Sequence, residues 1–342
     1  MSGGLRLFSI GDEGVAEITA RGAVRERHLQ DLVEANMEAL PGVRFLASEY
    51  STGARHRGRI DSLGLDENGA PVIVEYKRER GANVISQGLF YLSWLVDHRG
   101  EFQLLVRERL GKEAASQVLW SAPRVICIAE NFTRYDLHAV HEMGRTIDLV
   151  TYRCFSDSLL TLETVASVQE PGTARRTAQQ PARPAAPTSG ESAEGSLAAL
   201  REALHDTLLA LGEDTQQVER QTYDAYRRLR NFACVVNTRR DAIVMYLKAG
   251  PDEFDLVDGF SRDVRGIGHH GTGDLEVRLR SRADLQRADE MVPPVVVGGL
   301  RAPRILVLGA ARTIGGRAQV VPISCRGAIC QKQPFGEVAR AS

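Results

Sequence analysis

With 342 residues, 43% hydrophobic and 25% charged, the chain can bury a sizeable core and is long for one domain, so two are expected. A formal net charge of −1 excludes a uniformly basic nucleic-acid binder; any such contact must come from a local cluster. A membrane span and secretion are not expected: the longest apolar run, residues 295–311, is broken by Arg301 and Arg304, and the N-terminus lacks a signal-peptide layout.

In chain order, residues 1–22 read as a strand-rich arm, with apolar and polar residues alternating around Gly11 and Gly14. From Glu26 the apolar residues Leu29, Leu32, Val33, Met37 and Leu40 recur at helical spacing until Pro41-Gly42 stops them. Residues 43–50 read as a strand. Residues 59–65 and 72–77 read as two more, joined through Asp66-Glu67-Asn68-Gly69, whose Asn-Gly pair suits a hairpin turn. Helices are expected over 83–97, about 101–117 and 134–143, and strands over 124–129, 146–154 and 159–168. This order predicts an α/β domain over residues 23–168, a mixed sheet flanked by helices.

Residues 169–195 carry Pro171, Pro181, Pro184 and Pro187 among small and polar residues, too little apolar mass to offset ordering entropy, and read as a flexible linker. A small α+β domain is expected over 196–293, with helices at 196–211 and 282–291 and strands at 232–236, 242–248 and 275–279. Residues 294–342 show no period and read as a disordered tail. The cysteines at 127, 154, 234, 325 and 330 form no CxxC pair, which points to reduced thiols in a cytoplasmic protein rather than a zinc site.

The chemistry centres on Asp61, Glu75 and Lys77. Period 2 puts Glu75, Lys77 and Ile73 on one side of their strand and Val72, Val74 and Tyr76 on the other. Asp61 lies on the strand paired with it. Two carboxylates suit Mg²⁺ (or Mn²⁺), which takes hard oxygen ligands, activates water and neutralises a phosphate. Glu-x-Lys alone is common and also fits a salt-bridged surface hairpin. Two features favour the site: Val72-Ile73-Val74 is too apolar for an exposed edge, and Lys77 is one of only four lysines among 43 basic residues. Gln87 and Tyr91 share a helix face, with Asn83 ahead of them. Arg55, His56, Arg57, Arg59, Arg78 and Arg80 surround this stretch as candidate phosphate contacts, solvated hairpin ends being the alternative. Arg227, Arg228 and Arg230 with Tyr223 and Tyr226 make a second basic-aromatic cluster, with nucleic-acid binding as one reading.

Residues 26–95 resemble the catalytic domain of the NucS/EndoMS-type endonucleases within the PD-(D/E)xK superfamily. The matching segments are Leu29-Gln30-Asp31-Leu32-Val33-Glu34, Ser48-Glu49-Tyr50, Gly58-Arg59-Ile60-Asp61, Val74-Glu75-Tyr76-Lys77-Arg78, and Gln87 with Tyr91. The resemblance implies a restriction-endonuclease-like fold and a metal-dependent endodeoxyribonuclease acting in DNA repair or in defence against foreign DNA. In it Asp61 and Glu75 ligate the metal, Lys77 assists the attacking water, and Glu34, Gln87 and Tyr91 complete the site. Arg57, Arg59 and Arg78 are the expected nucleic-acid contacts. Only about 22 residues precede the first helix, so the family's N-terminal DNA-binding domain, and mismatch specificity with it, is not expected. The expected partners are DNA and a second copy of the chain, because one such core cuts one strand. The alternative is a non-catalytic binding protein that keeps a nuclease fold. Residues 197–292 resemble a small domain of unassigned function that follows such cores, notably at Gly268-His269-His270-Gly271; a glycine-rich loop is favoured there over histidine metal ligands.

Overall fold

The computed structural model describes residues 7–11, 14–20, 26–77, 83–155, 159–170, 193–212, 214–236, 241–269 and 271–292. Most of the predicted linker and tail, as well as Arg78, Arg80 and His270, lie outside these residues. β1 (Leu7–Gly11) and β2 (Gly14–Ile18) pair as an antiparallel hairpin.

Next come α1 (Glu26–Ala35), β3 (Val43–Ser51), the short α2 (Gly53–His56), β4 (Arg59–Asp66), β5 (Pro71–Lys77) and α3 (Val84–Asp97). They are followed by α4 (Arg99–Leu110), α5 (Lys112–Ser116), β6 (Arg124–Ala129), α6 (Arg134–Glu142), β7 (Thr146–Phe155) and β8 (Leu159–Val168). The strands lie in the order β3-β4-β5-β6-β7-β8, antiparallel at both edges and parallel where β5, β6 and β7 adjoin. The expected mixed sheet is therefore present. Its central strands are buried on both faces, as parallel strands under helices must be. Val72, Val74 and Tyr76 pack on one face with Leu29 and Val33 of α1, whereas Ile73 and Cys127 pack on the other with Ile85, Leu92 and Leu95 of α3. Gly88 lets α3 approach closely, since a Cβ there would meet Val125 Cγ1 at 2.5 Å.

Two predicted helices are shorter than expected. The expected helix over about 101–117 is divided at Gly111, whose φ of 92° cannot continue a helix. The first helix ends at Ala35 and gives way to a turn before Gly42 (φ 71°). A Cβ on Gly42 would lie 2.6 Å from Arg230 Cβ.

The second region contains α7 (Ala193–Leu209), β9 (Gln216–Glu219), β10 (Tyr223–Arg227), β11 (Asn231–Val236), β12 (Ile243–Leu247), β13 (Ser261–Asp263), β14 (Leu275–Leu279) and α8 (Arg282–Asp289). Its strands form an antiparallel sheet in the order β13-β14-β12-β11-β10-β9, with α7 and α8 packed on one face. β9, β10 and β13 had no clear signal in the sequence, because they are short and mix charged residues into the apolar alternation.

The two sheets meet in a polar seam around the turn between β4 and β5. Asp66 Oδ1 accepts the backbone N–H groups of Asn68 and Ala70, and Oδ2 accepts from Arg227 Nη1 at 3.0 Å. Asn68 and Asn231 exchange side-chain amide bonds, each 2.9 Å, and Lys248 pairs with Glu67. The buried pair Arg124–Asp148 lies alongside, and Arg124 Nη2 reaches Leu229 O at 3.0 Å. The nucleic-acid reading of the 223–230 cluster is thereby corrected. Arg227, Tyr223 and Tyr226 are buried, Arg228 is tied to Leu211 O and Asp214, and Arg230 donates to Ala39 O. In sequence a guanidinium serving phosphate and one serving a buried carboxylate look alike.

Candidate active site

At its turn end the β4–β5 hairpin is regular, with Leu65 opposite Pro71, Gly64 opposite Val72, Leu63 opposite Ile73 and Ser62 opposite Val74. Beyond Ser62 it forks: β4 stays with β3 and β5 stays with β6. Two carboxylates bridge the gap. Glu75 Oε1 accepts the backbone N–H of Asp61 at 3.3 Å, and Asp61 Oδ2 accepts the backbone N–H of Tyr76 at 3.0 Å. Side chains thus stand in for ladder bonds, and the second oxygen of each carboxylate accepts no hydrogen bond among the described residues.

The site is electrostatically unbalanced. Burial, then the neighbouring Asp61 charge, pushes the Glu75 carboxyl up to about 9, and burial also raises Asp61. Neither forms an ion pair among the described residues. Lys77 lowers both through space, but its Nζ pairs with Glu26 Oε1 at 3.4 Å.

Glu34 stands behind this pair, on the α1 side. It accepts from Ser62 Oγ at 2.6 Å and from Gln30 Nε2 at 3.0 Å, while Ser62 Oγ, its one proton given to Glu34, shares a further hydrogen bond of 3.2 Å with Tyr76 Oη. Its link to the carboxylates is indirect and runs through Gln30, whose Nε2 also donates to Asp61 O at 2.9 Å. Buried Gln30 escaped the sequence reading: a glutamine on an amphipathic helix gives no sign that it holds a neighbouring strand. Gln87 Oε1 is buried and has no hydrogen-bond partner among the described residues. Tyr91 Oη accepts the backbone N–H of Arg59 at 3.2 Å, and its ring covers Gly58, where a Cβ would lie 2.4 Å from Tyr91 Cε1.

An open hollow of 680 Å³ is lined by Ser51, Gly53, Ala54, Arg57, Gly58, Arg59, Asp61 and Tyr91. Arg57 is exposed on its rim; Arg59, also exposed, pairs with Glu49. The described non-glycine residues with positive φ are Glu49 (53°), which pairs with Arg59, Arg57 (50°), which lines the hollow, and Asn83 (75°), at the head of the helix carrying Gln87 and Tyr91. Such conformations cost of order 1–2 kcal/mol each and gather at functional sites.

The residues present suit a hard divalent cation. Among the described residues no three His, Cys, Asp or Glu side chains group closely enough to hold a metal by themselves. Mg²⁺ is content with two carboxylates and completes its shell with water and phosphate. The free oxygens of Asp61 and Glu75 are the groups that would hold it.

In overall fold, two solved structures show likeness at low TM-scores. A repair endonuclease from Pyrococcus abyssi is 21% identical, matching 39% of this chain and 50% of its own, at a TM-score of 0.25. EndoMS in a complex with double-stranded DNA is 22% identical, matching 40% of this chain and 51% of its own, at a TM-score of 0.22. The chain thus spans about half the length of each. Residues 187–292 match the family described as a domain of unknown function, DUF5655. An uncharacterized protein of Haemophilus influenzae is 24% identical over 273 residues, 76% of this chain and 89% of that protein. None of these likenesses assigns a reaction to this chain.

Proposed function

We propose that the chain is a divalent-metal-dependent endonuclease of the PD-(D/E)xK class that hydrolyses DNA phosphodiester bonds, serving DNA repair or defence against foreign DNA. The observation that carries this reading is the fork, where two buried carboxylates face each other with no ion-pair partner among the described residues. A protein has no folding reason to gather like charges there, and a bound cation would offset their repulsion. With Mg²⁺ or Mn²⁺ in place, the ion supplies water activation and charge neutralisation at the scissile phosphate. Asp61 and Glu75 hold that charge in position. Gln87 Oε1 would accept a hydrogen bond from the attacking water, and Lys77, once released from Glu26, would carry a point charge toward the phosphate. Tyr91, packed on Gly58, fixes the backbone at Arg59, from which Arg57 and Arg59 meet flanking phosphates, with Arg78 as a further candidate.

One observation favours a second reading, a binding protein without turnover: the Lys77 amine is engaged by Glu26 and not by the carboxylate pair. Incubating plasmid, branched DNA and RNA with Mg²⁺ or Mn²⁺ separates the two. Cleavage by the wild type, lost in Glu75→Ala and Lys77→Ala, supports the nuclease. DNA binding without cleavage under either metal supports the second reading, and equal cleavage by all three proteins removes the site.

A further inference from the structure

Beside the hollow runs a row of rings that the metal chemistry does not use. Phe90, next to Tyr91 on α3, is 47% exposed, and its ring centroid lies 5.6 Å from that of Tyr91 and 5.5 Å from that of His56 on α2. His56 continues to His98 at 5.9 Å in an edge-on contact, and His98 stacks on Trp94 at 4.6 Å with an interplanar angle of 17°. The outer members, Tyr91 and Trp94, are buried and anchor the row at both ends; between them Phe90 is exposed, and His56 and His98 are half-buried.

A single exposed phenylalanine means little. This one is in ring contact with Tyr91, which lines the hollow, and with His56, the residue before Arg57; Arg57, Arg59 and Asp61 line the same hollow. Cations beside an apolar ring match a ligand that is both polyanionic and flat-faced, which describes a nucleic-acid strand with an unstacked base. We propose that Phe90 and His56 form a ledge on which one nucleobase stacks beside the phosphate held at Asp61 and Glu75, so that the site takes a strand whose base at that position has left its own stack. The inference rests on the nuclease reading above.

The test uses the full chain with Mn²⁺ and a labelled single-stranded oligonucleotide, intact or carrying one abasic residue moved stepwise past the cleavage point. One lost stacking contact is worth about 5- to 150-fold in affinity. Phe90→Ala is expected to raise KM within that range with kcat changed far less, and Phe90→Trp is expected to restore it. In the wild type one abasic position is expected to mimic the loss, and Phe90→Ala is expected to be insensitive to that lesion. The exposure of Phe90 lets the alanine variant fold, which a matching thermal melt checks. Wild-type KM in Phe90→Ala, or an abasic penalty that persists in it, overturns the ledge alone. A wild type that cleaves plasmid or branched DNA but no single-stranded oligonucleotide overturns the ledge alone, and one that cleaves none of these overturns the nuclease reading and the ledge with it.

Discussion

The β4–β5 hairpin treats its buried charges in opposite ways at its two ends. At the turn, Asp66 is matched by Arg227 and by two backbone N–H groups, and Asn68 by Asn231. At the fork, toward the other end of the same strand β4, Asp61 and Glu75 face each other with no ion-pair partner among the described residues. A buried charge is tolerated when paired and hydrogen-bonded, and otherwise moves toward neutrality. Burial lowers Arg227 to about 10, still charged at neutral pH, while it carries Glu75 up to about 9. The turn end pairs its buried charges, and the fork leaves two buried carboxylates without an ion-pair partner among the described residues.

Substitutions at the two ends are therefore expected to act with opposite sign. The largest effect belongs to Asp66→Asn, which strands Arg227 in the seam. Urea unfolding is expected to show a loss of about 3–5 kcal/mol. If stability is unchanged, the seam does not hold the two sheets together.

Glu75→Gln, which keeps the acceptor for Asp61 N, is expected to stabilise the metal-free protein by about 1–3 kcal/mol at pH 8. The sign follows from the raised carboxyl: its contribution is fully present below the unfolded value of 4.5 and is lost as pH rises toward about 9. The gain of the variant over the wild type must therefore grow across that window. Melts at pH 5, 7 and 9 check this, and a gain independent of pH would contradict the assignment.

Gly58→Ala is expected to cost about 1–2 kcal/mol, because the new methyl meets the Tyr91 ring. It should also weaken cleavage by moving the Arg59 backbone; a crystal structure with Tyr91 unmoved would sink the explanation. The smallest effect is expected for Arg57→Ala. Its stability should stay within about 0.5 kcal/mol of the wild type, while the slope of log affinity for DNA against log salt should fall by about one.

The hairpin itself was legible in the sequence. Alternation placed Glu75 and Lys77 on one side and Val72, Val74 and Tyr76 on the other, and the packing agrees. The Asn-Gly turn was legible too, but its burial was not, because Asp66 and Asn68 find their partners more than 160 residues away. For the same reason the arginines of the seam looked like a nucleic-acid surface. Gln30 lies within a matching segment but its role, like that of Phe90, shows only beside its spatial neighbours Asp61 and His56 respectively. The fork leaves no trace in periodicity, since both strands continue with other partners.

Divalent-cation binding is the most direct test of the fork. Thermal melts of the full chain without metal and with saturating Mn²⁺ should show wild-type stabilisation, about 2.7 kcal/mol at one hundred times the dissociation constant. Asp61→Asn and Glu75→Gln should lose that stabilisation, and Asp66→Asn should keep it from a lower starting point. A wild type indifferent to Mn²⁺, or a Glu75→Gln variant that still gains fully from it, would contradict the claim that these two carboxylates await a cation.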